Sequence, residues 1–143
     1  MRLNIAKTKD QEIEGYKNVA ANEQIIENVQ SVANNSCEEI LCLNSLENLP
    51  NEIGNKVLEL LVQKTRNLGT LHISGLDFNS LCNSYINDTV SIKDVNSALS
   101  NVKTIYNYKE IIMNLEQKEF VIEVLLLKGQ TYQIEAKRIK NNA

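Results

Sequence analysis

The run Glu39-Ile40-Leu41-Cys42-Leu43 most limits the folds open to this chain. A compact apolar stretch without alternation reads as a strand covered on both faces, as in a central parallel strand. A second such strand, Thr70-Leu71-His72-Ile73-Ser74, follows and is closed by Gly75. Between them, Pro50 and Asn51 punctuate a helix start. Ile53, Val57, Leu58, Leu61 and Val62 then fall on one helical face through about Arg66. Asn67-Leu68-Gly69 ends this helix, with Gly69 suited to a left-handed C-cap. Strand, helix, strand is the unit that parallel sheets are built from.

The flanking segments extend the pattern. Leu3 and Ile5 mark a short strand over Arg2 to Ala6, and Tyr16 to Ala20 reads as a second. Glu23 to Val32, with Ile25, Ile26, Val29 and Val32, fits a short helix or a strand with its lead-in. Asp77 to Tyr85 reads as helical, with Asp77 accepting a backbone N–H as its cap. Ser91-Ile92-Lys93-Asp94 has the form of a capping box, and Asn107-Tyr108-Lys109-Glu110 repeats that form. Glu119 to Leu127, the loop Lys128-Gly129-Gln130, and Thr131 to Arg138 read as a β-hairpin. In it Tyr132, Ile134 and Ala136 alternate with polar residues. The expected fold is α/β: one domain over residues 1–143, a mostly parallel mixed sheet ending in an antiparallel hairpin, and helices on both faces.

Composition narrows the function. The 143 residues are 43% hydrophobic and 23% charged, with a net charge of −3, and the isoelectric point is near 5.2. That balance argues against coating nucleic acid, which needs a basic surface; Lys137, Arg138 and Lys140 form only a small basic cluster. No apolar run approaches the ~18 residues of a membrane span. The polar residues after Ala6 argue against a signal peptide. Cys37, Cys42 and Cys82 have no metal-like spacing, and the single His72 makes no metal cluster alone, so reduced, mostly buried thiols in a cytoplasmic protein are expected. Abundant Asn and Ile with no Trp fit an AT-rich genome, such as that of some phages.

The fragments Leu3-Asn4-Ile5-Ala6, Gly15-Tyr16-Lys17-Asn18-Val19, Cys37 through Leu49 (CEEILCLNSLENL) and Asn67 through Phe78 (NLGTLHISGLDF) fall in one register. In order and spacing they resemble the class I methyltransferase-like domains that use S-adenosylmethionine (SAM). Those domains carry LNLGCG, GYINVD, FDEIYASHVLEHL and PGGRLHISVPDF before a final hairpin. The resemblance runs from about Arg2 to Arg138. It implies a Rossmann-like sheet of seven strands with the last antiparallel, and places a third strand near Gln30 to Ala33.

The matching positions lack the residues that hold the cofactor. Glycines in the turn after strand one let the backbone approach the ligand, because a Cβ would clash. Here those positions fall on Ala6, Lys7 and Thr8, and Lys7 is a cation facing a sulfonium. The acid that binds the ribose hydroxyls at the end of strand two becomes Ala20, with Glu23 and Glu27 further along. Ser45, in the turn after the Cys42 strand, is a further position matching the family's SAM site, and it has no histidine partner for a nucleophile's role. Glu47, beside it, could hold a substrate amine or be a solvated loop carboxylate. His72 reads as a hydrogen-bonded core residue. The expectation is a methyltransferase-like module with a decayed SAM site and no catalytic residues. Such a module would act with a protein partner or as a homo-oligomer, in the cytoplasm or as a structural part of a virus particle. The alternative is a minimal SAM-dependent methyltransferase acting on a sugar or another small molecule.

Overall fold

The computed structural model describes residues 1–139; Lys140 of the small basic cluster lies outside them. Six strands form one sheet in the order β2-β1-β3-β4-β6-β5. They are β1 (Arg2–Ala6), β2 (Lys17–Ala20), β3 (Cys37–Leu43), β4 (Thr65–Leu76), β5 (Phe120–Lys128) and β6 (Thr131–Arg138). The first four run parallel, and β6 lies antiparallel between β4 and β5. The α-helices are α1 (Ile25–Gln30), α2 (Asn51–Lys64), α3 (Phe78–Ile86), α4 (Ile92–Leu99) and α5 (Tyr108–Gln117). This is the Rossmann-like methyltransferase fold, a mostly parallel mixed sheet closed by an antiparallel hairpin.

Three local expectations change. The third strand expected near Gln30 to Ala33 is not formed: Gln30 ends α1 and a turn follows. The described residues therefore make six strands rather than seven. With few residues between α1 and β3, the chain has no length for another strand and its return. Second, α2 stops at Lys64 and Thr65 opens β4 directly. Gly69 is no C-cap. It sits within β4, where a Cβ would lie 2.7 Å from the Cys37 carbonyl, so glycine serves close strand approach. The left-handed residue is its neighbour Leu68, at φ 62°. Third, the hairpin loop has two residues, because Lys128 pairs with Thr131 and Gly129 takes φ +61°.

Helical segments lie on both sides of the sheet, unequally. Leu3, Ile5, Ile40, Cys42, Leu71, Ile73, Ile134 and Ala136 form one face. They pack with Ile25 and Val29 of α1, Val57 and Leu61 of α2, and Ile111 and Leu115 of α5. Right-handed crossovers running the same way from β2 to β3 to β4 put α1 and α2 on one side. The second face carries the 3-10 turn Lys9–Gln11. Asn4 holds it down, donating from Nδ2 to the Gln11 carbonyl at 2.8 Å and to Asn18 Oδ1 at 2.9 Å. Beyond β1 this face bears Leu41, Leu43, His72, Gln133 and Glu135, half-buried or exposed, around a cavity of about 310 Å³. The Leu41 and Leu43 positions, read from sequence as covered on both faces, meet solvent here.

Candidate functional site

In open α/β sheets, ligands bind beyond the carboxyl ends of the strands, where the order of strands reverses. In this chain that point lies between β1 and β3, since β2 continues to one side and β3 to the other. The structure gathers the expected residues there. Ala6 ends β1, Ala20 ends β2, and the two are register partners. Ser45 follows β3, and Lys7 and Thr8 lead into the 3-10 turn.

The backbone of this corner is engaged with itself. The Lys7 N–H donates to Gln11 Oε1 at 2.9 Å. The Ala6 carbonyl accepts the Ala21 N–H at 2.9 Å, and the Thr8 carbonyl accepts from Gln11 at 3.1 Å. A turn that cradles a ligand instead leaves N–H groups free to point at it. Ser45 is buried and donates its hydroxyl to the Leu43 carbonyl at 2.9 Å, so its proton is committed within the fold.

Of the two readings of Glu47, a substrate-amine ligand or a solvated loop carboxylate, the structure corrects the second. Glu47 lies in the 3-10 turn Leu46–Asn48 and is only 8% exposed. Its carbonyl receives the N–H groups of Lys103 at 2.7 Å and Thr104 at 3.2 Å, which strap the segment before α5 over the sheet edge. The buried Glu47 Oε2, Tyr106 Oη and Tyr132 Oη have no hydrogen-bond partner among the described residues. Burial pushes the Glu47 carboxyl above its ordinary range, while two backbone N–H groups and the charge of Lys7 pull it part of the way back. Burial likewise raises Tyr106 and Tyr132, and pushes the Cys42 thiol up to about 12. Cys42 is therefore an inert thiol rather than a nucleophile.

Tyr106 and Tyr132 escaped the sequence reading as members of this cluster. Tyr132 carried a usable signal: it alternates with Ile134 and Ala136 on a buried face, and a buried phenol needs accounting for. Two other expectations fail. Asp77 holds the N-cap position of α3 but makes no bond to that helix's backbone; its Oδ2 accepts the Ser80 hydroxyl at 2.6 Å. His72 is no core residue. It lies on the second face, 28% exposed, with Nδ1 3.9 Å from Glu135 Oε2.

No carboxylate ends β2, the Lys7 amide is engaged by Gln11, and Lys7 brings a cation to the corner. These residues do not fit SAM as the resemblance would have it held. Among the described residues, no three His, Cys, Asp or Glu side chains gather to hold a metal.

The sequence matches no family model and no curated protein. Solved structures match across the fold. A SAM-dependent methyltransferase from Methanosarcina mazei matches with a TM-score of 0.62 at 12% identity, over 98% of this chain and 92% of its own. A Haloferax volcanii chain solved in complex with the Trm112 methyltransferase activator matches with a TM-score of 0.65 at 6% identity, over 99% and 83%. An O-methyltransferase family protein from Burkholderia thailandensis matches with a TM-score of 0.61 at 9% identity; 89% of this chain covers 37% of that one. At these identities the likeness is one of fold: the chain is a methyltransferase-like domain in architecture.

Proposed function

We propose that this chain is a methyltransferase-like module without SAM-dependent activity, serving as an interaction or structural subunit. The observation that carries the reading is the Ala6–Ala20 pair. The strand-one turn and the strand-two end stand side by side, and neither bears the group that would hold a cofactor. A fold outlives its chemistry when it still packs and presents a surface. The Haloferax relative of the fold was solved with an activator protein, which supports a role in company. The Asn- and Ile-rich composition fits a phage-encoded assembly component. Among the described residues no helix is long and apolar enough to cross a membrane.

Calorimetric titration with SAM and S-adenosylhomocysteine tests this. No binding heat up to millimolar ligand, with the protein folded by circular dichroism, is the expected result. Stoichiometric micromolar binding would overturn it and direct a screen of small-molecule methyl acceptors.

A further inference from the structure

Strand β5 is one edge of the sheet, and its central stretch is left bare. Val124, Leu125, Leu126 and Leu127 are each 44–47% exposed, so both side-chain rows meet solvent together. Pairing with β6 continues unbroken from Val124 to Lys128, and the register shift lies before it, between Ile122 and Val124. Among the described residues nothing pairs with the outer side of this stretch, which presents a regular row of N–H and C=O groups.

Edge strands are ordinarily blunted by brevity, by charge or proline within them, or by a covering element. The opposite edge obeys this: β2 has four residues and carries Lys17 and Asn18. By contrast β5 has nine residues, no proline, and charges only at Glu123 and Lys128, which bracket the apolar tetrad.

We propose that two copies of this chain pair their β5 strands antiparallel about a two-fold axis, joining two six-stranded sheets into one. The bracketing charges select this occupant. A two-fold through the tetrad, perpendicular to the sheet, sets the Glu123 end of each strand against the Lys128 end of the other, so opposite charges meet at both ends. A parallel pairing would set like beside like. The leucines meet one another across the centre on both faces. The ladder is small beside the ~800 Å² per partner of a standard complex, so a dimer whose population rises with concentration is expected. The inference rests on the interaction reading only in naming its partner, and the two fail separately: SAM titration tests one and molecular mass the other.

Sedimentation of the full chain across the micromolar range is the test. The expected mass rises with concentration from 16.2 kDa to twice that value. Leu126→Lys should hold it at the monomer mass with an unchanged far-ultraviolet spectrum. Glu123→Lys and Lys128→Glu should each weaken association roughly five-fold, and their combination should restore it, which keeps the test valid if Leu126→Lys misfolds. A wild-type chain that stays monomeric overturns the proposal. So does a dimer that the charge swap neither weakens nor restores, or a different protein seated on β5 of a chain that is monomeric alone.

Discussion

Glu47 Oε2 and Tyr132 Oη converge on Gly75: a Cβ built there would lie 2.7 Å from the one and 2.8 Å from the other. The missing side chain makes room for two buried oxygens that find no partner among the described residues. Gly75→Ala should therefore displace both and cost about 1–3 kcal/mol, as overpacking does. Urea unfolding measures it, and an unchanged midpoint would show that the space is slack.

Glu47 should make stability depend on pH. Burial raises its folded-state pKa above the unfolded value of about 4.3, so the folded protein holds this proton more tightly. The stability it contributes is complete below the unfolded pKa and is lost as pH rises through the folded pKa. Glu47→Gln should flatten that decline: near-equal stability to the parent at low pH, greater stability at neutral pH. Parallel curves would mean that Glu47 titrates as an ordinary surface acid.

The proposed loss of the ribose anchor can be tested by restoring it. Ala20→Asp places a carboxylate at the end of β2, where the resemblance implies one. A charge-assisted hydrogen bond is worth ~1.5–3 kcal/mol, so SAM affinity should rise ~10- to 150-fold from whatever the parent shows. Saturation-transfer NMR with SAM detects the gain. No gain would mean that the engaged Lys7 amide, rather than the missing acid, closes the site.

Helix α4 depends on its cap. Ser91 Oγ accepts the Asp94 N–H at 3.1 Å, and Asp94 Oδ2 accepts the Ser91 N–H at 2.9 Å, while no residue of the helix is buried. Ser91→Ala should cost about 1 kcal/mol locally, which is roughly five-fold faster amide exchange in this helix. Exchange elsewhere should be unchanged.

What the sequence disclosed follows from range. Capping at Ser91, the alternation of Tyr132, Ile134 and Ala136, and the glycine of the hairpin turn are local, and all three are formed. The ends of β1 and β2 at Ala6 and Ala20 are also legible from the motif spacing, whereas their pairing in register is not. Glu47 was not: a carboxylate between Leu46 and Asn48 looks like loop until the strap from Lys103 and Thr104 covers it. Leu41 and His72 misled for a related reason. Apolar continuity signals a strand buried on two faces, and here the second face leaves Leu43 exposed and Leu41 and His72 half-buried. Gly69 was mistaken for a helix stop because close approach to the Cys37 carbonyl is a tertiary requirement.

The sheet's central pairing has a kinetic consequence. Strand β4 lies between β3 and β6, and Arg138, at the end of β6, donates to the carbonyls of Val62 at 3.0 Å and Thr65 at 2.6 Å. These contacts span more than seventy residues of chain. The middle of the sheet therefore cannot close until Thr131–Arg138 has left the ribosome. Until then β4 exposes an unpaired apolar edge, so a nascent chain paused before the hairpin is the species most open to misassembly, and folding should be slow for a protein of this size.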